Sequence, residues 1–323
     1  MTIAPDKNNY IDPPLVNIFK DLDVDIAVVP LARTANYQFN ERLYDLKEWV
    51  LVDYIEYGAN DWDRQNSHIW GHNTELFEYR FKDNWEEWLK FDKFCKEHPP
   101  KITFKRELLK KDVTETLLPC EYPCLLPSYP IQSKEDFNAR KIELIHIWGH
   151  SNESRRMFQS AAWEHAVKED ITICDNIYYL QGFLSDNPRR LWACMNVPHF
   201  ARNPMSEVMV INGMAKLSLS QPGDGIKCFR SAEVSQNSIM VLQDDPLAWS
   251  FDWIGDVNCI RVPIGNTMSD FRGLNGSPEI NVIEETLRRT DLYDIYVACV
   301  KNNKNYMVEN YLNNYIKPLI NKL

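Results

Sequence analysis

Short apolar segments recur along this chain and restrict the folds that it can adopt. Residues 24–31, 49–57, 141–148, 215–219 and 238–242 each contain few polar side chains. A strand with one face in water alternates apolar and polar residues, whereas the strands of a parallel sheet covered by helices on both faces are apolar almost throughout. The segments therefore predict an α/β protein built on parallel sheets.

Helical spacing between and after these segments predicts the other layers. Residues 39–47 form a predicted helix between the first two strands, which gives a β-α-β unit, and residues 84–95 form a second helix. The side chains of this second helix predicted to face a core are Trp85, Trp88, Leu89, and Phe91 or Cys95. The remaining predicted elements are strands over 102–108, 171–174 and 253–263 and helices over 153–169, 280–287, 291–300 and 305–321. Residues 178–204 show no pattern that selects helix or strand.

The length of the chain predicts two domains. At 323 residues it exceeds the size at which single cores stop growing, about 250–300 residues. A proline-rich passage over 119–130 has the composition of a linker. We therefore predict an N-terminal Rossmann-like domain over 1–136 and a second domain over 137–323.

Charge and targeting signals predict a cytoplasmic protein without a membrane span. The net charge of −10 argues against a general surface for polyanions. The first ten residues lack the basic and apolar regions of a signal peptide, and no run of about 18 apolar residues occurs. The eight cysteines include no pair of Cys-x-x-Cys knuckles, so we expect buried thiols in a reducing compartment rather than a zinc site.

A glycine-rich segment over 222–233 lies between two of the apolar segments and has the chemistry of a diphosphate site. Gly223 and Gly225 let the backbone approach a ligand, and the start of a predicted helix offers free N–H groups to an anion. Lys227 and Arg230 add positive charge, and Glu233 is spaced to accept hydrogen bonds from a ribose. The alternative is an ordinary turn followed by a solvated charged face.

The order of these features resembles the donor-binding part of GT-B glycosyltransferases, in particular their exostosin-like, group 1-like branch. There a glycine loop, a basic residue and a glutamate precede a strand, as they do at 222–242 here. Residues 142–158 are similar to the strand, small-residue loop and arginine-bearing helix that open the second domain of the family, and the tyrosine-rich C-terminal helix is a further match. The resemblance implies two facing Rossmann-like domains, a nucleotide-sugar site in the second, and a C-terminal helix that crosses back to the first.

The resemblance also implies a second set of phosphate-binding residues. Ser151, Asn152 and Arg155 follow the first strand of the second domain and would bind phosphate through hydroxyl, backbone N–H and guanidinium groups. A surface ion pair of Arg155 with Glu153 or Asp175 is the alternative.

The catalytic candidates lie in the first domain, where the acceptor would bind. An inverting transferase needs a general base, whereas a retaining enzyme can use the leaving phosphate, and both remain open. Asp53 is the first candidate because burial inside 49–57 makes a carboxylate a stronger base, although a capping or hydrogen-bonded structural carboxylate is an equal alternative. His72 is the second candidate because its ordinary pKa is near neutrality, although a histidine after glycine is commonly a turn residue.

The predicted activity is transfer of a sugar from a nucleotide-diphosphate donor to a hydroxyl acceptor, without a further cofactor. A glycan is the first candidate acceptor, and hydroxymethylated pyrimidine in viral DNA is the alternative, which the net charge disfavours. A non-catalytic nucleotide- or glycan-binding protein of the same fold is a third possibility. Asp61-Trp62-Asp63 spells the metal-holding motif of the GT-A class but lies in a first-domain loop, so we predict no metal site.

Overall fold

The structure is a computed structural model of the chain. It describes residues 2–3, 19, 22, 24–29, 38–53, 85–106, 108–124, 129–148, 153–176, 179–196, 210–220, 229–245, 247–263 and 278–322.

Five parallel strands form the first sheet and follow one another in sequence order. They are β1 (Thr2–Ile3), β2 (Asp25–Val29), β3 (Trp49–Asp53), β4 (Ile102–Lys105) and β5 (Leu117–Pro119). Every residue of β3 is buried, so its sequence needs no polar alternation.

Six parallel strands form the second sheet, in the order β11-β10-β9-β6-β8-β7. They are β6 (Ile142–Trp148), β7 (Thr172–Cys174), β8 (Leu191–Asn196), β9 (Ala215–Ser220), β10 (Ile239–Gln243) and β11 (Ile260–Val262). The domain boundary predicted near residue 137 lies between β5 and β6 and stays a prediction.

Helices connect the strands. The α-helices are α1 (Trp85–Glu97), α2 (Lys134–Asn138), α3 (Glu153–Glu169), α4 (Leu180–Asp186), α5 (Phe229–Val234), α6 (Pro278–Leu287) and α7 (Leu292–Asn303). Short 3-10 turns cover Glu41–Asp45, Lys110–Asp112 and Lys304–Tyr306. The chain ends in a segment of α-helix (Val308–Tyr311), π-helix (Leu312–Ile316) and α-helix (Lys317–Ile320), here called the terminal helix. The two parallel sheets with their helices confirm the predicted α/β class.

Three local predictions differ from the structure. The helix predicted over 39–47 is a 3-10 turn, and residues 178–204 contain α4 and the strand β8, which lies between β6 and β7. The strand predicted over 253–263 pairs only at Ile260–Val262. There Asn258 Oδ1 accepts a hydrogen bond from Ile254 N at 2.7 Å and Asn258 Nδ2 donates to Asp252 O at 3.0 Å. These local bonds stabilise a turn in place of a strand ladder.

Helix α1 buries Phe91 and Cys95, as predicted, but exposes Leu89, which was also predicted to face a core. The side chains of Trp85 and Trp88 lie outside the described residues. Leu89 is 45% exposed, while Phe91, Phe94 and Cys95 are buried. Residues three and four positions apart share a helix face, so burial of Phe91 brings Phe94 and Cys95 inward and turns Leu89 towards water.

Strand β10 is buried on both faces, and each face belongs to a different apolar core. Met240 and Leu242 lie in a cluster with side chains of β2, β3, β4 and the terminal helix. Ile239 and Val241 lie in the main core of the second sheet. Because successive side chains of a strand point to opposite faces, this one strand links the cores of both sheets.

The terminal helix returns to the first sheet, as predicted. Tyr311 and Ile316 are buried in the cluster that contains β2, β3 and β4. The Tyr315 ring lies 6.1 Å from the Phe104 ring of β4, and its hydroxyl donates to Pro119 O at 2.7 Å. The C-terminal segment therefore completes the core of the first sheet.

A proline accounts for the π-turn inside the terminal helix. Pro318 has no backbone N–H, and its ring would clash with the carbonyl of Asn314 in a regular α-helix. Widening of the helix over Leu312–Ile316, directly before this position, relieves that clash.

Arg140 fixes the start of the second sheet. Its Nε and Nη2 atoms donate to Gln132 Oε1 at 3.0 and 2.8 Å, and Nη1 donates to Ala215 O, the first residue of β9, at 2.5 Å. The guanidinium carbon also lies 4.8 Å from the Phe137 ring centroid and 4.7 Å from that of Tyr296. One side chain therefore joins the segment before α2, β9 and α7.

We expect Arg140→Lys to lower the free energy of unfolding by about 1–3 kcal/mol, because lysine loses the forked hydrogen bonds and the planar stacking. Urea denaturation measures this change. Arg288→Lys is the matched control, since Arg288 is exposed and makes one 3.8 Å contact with Glu284. Equal effects of the two substitutions would show that Arg140 has no special structural role.

A charged network lies among β6, β8, α3 and α6. Glu284 Oε1 lies 2.8 Å from His165 Nε2, and both Glu284 oxygens accept from Arg190 Nη2 at 2.9 and 3.1 Å. Arg190 Nε also donates to the carboxylate of Glu143 at 2.9 and 3.1 Å. Burial raises the pKa of Glu284, but the hydrogen bonds from His165 and Arg190 outweigh burial and lower this pKa below its ordinary value of 4.5.

This shift predicts acid sensitivity. The pKa of Glu284 is lower in the folded than in the unfolded protein, so the ionised carboxylate stabilises the fold. This contribution to the free energy of unfolding is fully present above the unfolded pKa and is lost as the pH falls through the folded pKa. Glu284→Gln should therefore lower the melting temperature at neutral pH and reduce its further fall on acidification. Melting curves between about pH 6 and 3 measure this, with the neighbouring exposed Glu285→Gln as control. If the melting temperature of Glu284→Gln fell on acidification as much as that of the wild type, the lowered pKa of Glu284 would be contradicted.

Candidate functional site

The carboxyl ends of β6 and β9 lie side by side. The chain runs from β6 to β7 and β8 on one side before it returns to β9 on the other. The order of the strands therefore reverses between β6 and β9, the position where open parallel sheets bind ligands. Ile145 pairs with Ser218, and the strands end at Trp148 and Ser220, so their ends are nearly level.

Both segments predicted to bind a diphosphate follow these two strands. Arg155 lies in the first turn of α3, which follows β6, and Arg230 is the second residue of α5, which follows β9. Of the other predicted site residues, those outside the described residues are His72, Ser151, Asn152, Gly223, Gly225 and Lys227. Their ligand contacts stay predictions.

Helix α5 is held firmly against its surroundings. Ser231 Oγ lies 3.0 Å from Ser220 Oγ at the end of β9. Asn303 Nδ2 of α7 donates to Ala232 O at 2.8 Å and to Ser235 Oγ at 2.6 Å. Glu233 lies on this helix and is 7% exposed. The fold thus fixes the backbone that carries Glu233 beside the switch position, and its contact with a ribose stays a prediction.

Asp53 lies at the carboxyl end of β3 in a buried ion pair. Its Oδ2 atom is 3.9 Å from Lys105 Nζ at the end of β4, and the two side chains are 1% and 2% exposed. Its carbonyl oxygen accepts from Arg106 N at 3.0 Å and from Cys120 Sγ at 3.8 Å. The carboxyl ends of β3, β4 and β5 therefore meet at this residue.

The ion pair alters the chemical expectation for Asp53. Burial alone favours the neutral acid, which was the reason to predict a strong base at this position. The ammonium group of Lys105 instead gives this carboxylate a buried structural partner on the neighbouring strand. The buried pair therefore supports the alternative that Asp53 is a structural carboxylate. The role of Asp53 as a general base stays a prediction.

A pocket lies between the end of the first sheet and α5. Its cavity volume is about 10 Å³, which is room for about one water molecule, and it is partly open to solvent. Its lining consists of Glu121 and Tyr122 after β5, Ser231 and Ala232 on α5, and the aromatic side chains Trp249, Trp253 and Tyr306. Residues that follow β5 and β9 therefore meet around one space.

Sequence reasoning missed this pocket. Glu121 lies in the passage interpreted as a linker, and Trp253 lies in the strand that was wrongly predicted. The sequence signal for it was the carboxylate of Glu121 between the apolar residues Cys120 and Tyr122. Charged side chains are almost never fully buried unless they are paired, so a carboxylate in an apolar segment indicates a specific partner.

The seven cysteines that the structure describes are buried free thiols. Burial raises the pKa of Cys194 and of Cys259 to about 12, so both thiols stay protonated at neutral pH. Among the described residues, no three His, Cys, Asp or Glu side chains are grouped to hold a metal ion. No helix in that part of the chain is long and apolar enough to cross a membrane.

Neither a protein-family model nor a curated protein matches the chain. Several solved structures are similar to it. TarM shares 12% identity over 92% of this chain and 54% of its own, with a TM-score of 0.44. The pneumococcal O-GlcNAc transferase GtfA, solved with UDP and GlcNAc, shares 10% identity over 92% and 56%, with a TM-score of 0.45. The spinosyn rhamnosyltransferase SpnG shares 13% identity over 95% and 75%, with a TM-score of 0.40. The chain spans about half the length of the first two.

We expect a double-mutant cycle on Asp53→Asn and Lys105→Met to give a coupling energy of about 1–3 kcal/mol in urea denaturation, because the charges interact away from water. The exposed pair Lys101–Glu48, at 2.8 Å, is the control and should give less than about 1 kcal/mol. A coupling no larger than that of the control would contradict a structural ion pair at Asp53.

Proposed function

We propose that the chain is a glycosyltransferase of GT-B-like architecture that moves a sugar from a nucleotide-diphosphate donor to a hydroxyl acceptor, a glycan or a similar molecule. The adjacency of β6 and β9 carries this proposal. Two segments that are far apart in sequence, each with phosphate-binding chemistry, leave the second sheet at the same edge and from neighbouring strands. Ligands of open parallel sheets bind at such an edge.

Each predicted donor contact has a distinct role in this proposal. The glycines give the backbone room to approach the diphosphate, and the arginine and lysine side chains neutralise it as it leaves. The carboxylate of Glu233 accepts hydrogen bonds from the ribose. The residues proposed to bind the donor are Ser151, Asn152, Arg155, Gly223, Gly225, Lys227, Arg230 and Glu233.

The first sheet would supply the acceptor side. Asp53 remains the first candidate base and His72 the second. A mechanism in which the leaving phosphate accepts the proton is the alternative to a protein base. We also propose that transfer needs no metal, since Lys227 and Arg230 provide the positive charge. Loss of transfer in a chelator would contradict that part.

A thermal-shift screen of UDP, GDP, TDP, CDP and ADP tests the donor site. One nucleotide should raise the melting temperature, because a ligand present at 100 times its Kd adds about 2.7 kcal/mol to the free energy of unfolding. Lys227→Ala and Glu233→Gln should each weaken binding by about tenfold or more, since each removes a charge-assisted hydrogen bond.

Lys168→Ala is the matched control, because it removes an exposed positive charge at the opposite end of α3 from Arg155. Its nucleotide affinity should equal that of the wild type. Failure of every nucleotide to bind would contradict the proposed function. Binding without sugar transfer to any hydroxyl acceptor would favour the non-catalytic alternative.

A further inference from the structure

Helix α5 is too short to hold its own position. It has six residues, and isolated helices shorter than about 12–15 residues are marginal in water. Contacts with neighbouring elements therefore set its place in the fold. The position of α5 matters because this helix carries Glu233, the residue proposed to bind the ribose of the donor.

Asn303, the last residue of α7, supplies one of these contacts. The residue is 1% exposed, and its Nδ2 atom donates to Ala232 O at 2.8 Å and to Ser235 Oγ at 2.6 Å. In a regular α-helix Ala232 O would accept from Gln236 N. Here Gln236 N donates to Glu233 O at 3.4 Å instead. The Asn303 amide therefore takes the place of the regular backbone donor.

The carbonyl that accepts from Asn303 belongs to the peptide group that joins Ala232 to Glu233. A peptide group is planar, so a hydrogen bond to its oxygen also limits the rotation of its N–H, which is the N–H of Glu233. A carbonyl oxygen can only accept, so the Nδ2 side of the Asn303 amide has to face it. Asn303 thus orients the backbone from which the Glu233 side chain extends.

A chain of hydrogen bonds continues from Asn303 to the end of β9. Ser235 Oγ, which accepts from Asn303, donates to Ser231 O at 2.6 Å. Ser231 Oγ lies 3.0 Å from the Oγ atom of Ser220, the last residue of β9. The glycine-rich segment over 222–233 begins two residues after Ser220. One network therefore links α7 to both ends of the segment predicted to bind the donor.

We propose that Asn303 is a positioning residue of the donor site, which holds the Glu233 carboxylate in place for hydrogen bonds from the sugar hydroxyl groups of the nucleotide. This role rests on the proposed function. Asn303 does not touch the substrate and acts through the Ala232–Glu233 peptide group and through Ser235. The alternative is a structural asparagine that stabilises the fold and has no effect on nucleotide preference.

The preference of the protein for nucleotides with sugar hydroxyl groups tests this role. Calorimetry compares each of the five nucleotides of the screen with its 2′,3′-dideoxy counterpart, which lacks the hydroxyl groups proposed to donate to Glu233. The wild type should bind the hydroxylated form about tenfold more tightly, because hydrogen bonds to a charged group are stronger than neutral ones. Asn303→Ala should reduce this preference by about three- to tenfold, because the carboxylate is no longer held in place.

Further variants separate positioning from stability. Asn212→Ala is the matched control, because Asn212 is 2% exposed and its Oδ1 atom accepts from Ser218 Oγ on β9 at 3.0 Å. It should lower the melting temperature and keep the wild-type preference. Ser235→Ala removes one oxygen atom from the network and should reduce the preference, even if Asn303→Ala does not fold. Asn303→Ala combined with Glu233→Gln should show the same preference as Glu233→Gln alone, because Asn303 acts through Glu233.

Hydrogen exchange of the protein without nucleotide gives a second readout. The backbone amides of residues 231–238 should exchange faster in Asn303→Ala than in Asn212→Ala, because only the first substitution releases α5. Equal exchange rates in the two variants would contradict the role of Asn303 in holding this helix. Melting curves establish which variants are folded.

The outcomes distinguish failure of the positioning role from failure of the proposed function. If the wild type binds a nucleotide but shows no preference for the hydroxylated form, the positioning role is overturned and the donor site remains. The same holds if the folded variants among Asn303→Ala and Ser235→Ala keep the wild-type preference. If the wild type binds none of the five nucleotides, the proposed function is overturned and the positioning role with it.

Discussion

The apolar cluster shared by the first sheet, β10 and the terminal helix is the interaction on which the rest of the structure depends. Its members range along the chain from Phe19 to Ile316 and include both Val52 of β3 and Leu242 of β10. Burial of apolar surface is the main favourable contribution to folding, and here neither sheet completes the cluster alone. The two sheets are therefore joined by a continuous core in addition to the linker between them.

Directional contacts inside this cluster fix how the pieces meet. Tyr311 OH accepts from Glu121 N at 3.1 Å and lies 3.1 Å from Ser250 Oγ, which in turn donates to Pro119 O at 3.2 Å. Apolar packing tolerates sliding, whereas hydrogen bonds specify distance and angle. These bonds set the position of Glu121, so the same contacts that hold the sheets together also shape the pocket.

Local periodicity explains which elements were predictable. Helix α3 occupies 153–169, as predicted, because the segment is rich in residues that favour helix, such as alanine, glutamate and arginine, and contains no glycine or proline. Strand β10 was predicted because burial on both faces leaves a continuous apolar run. Strand β8 was missed, although it pairs with a strand on each side, since a short apolar run within a polar and aromatic stretch does not distinguish strand from helix. The turn around Asn258 was missed because side-chain bonds that compete with a ladder leave no periodic signal.

Sequence alone determined the α/β class, the two-sheet organisation and the residue types of the proposed donor site, because local spacing and side-chain chemistry are written directly in the chain. Only the tertiary structure decided that β6 and β9 are neighbours, that Asp53 is paired with Lys105, and that Glu121 and Trp253 line one pocket. The reason is physical. These contacts join residues between 52 and 132 positions apart, and such pairings follow from the packing of whole sheets and helices, for which a local pattern carries no information.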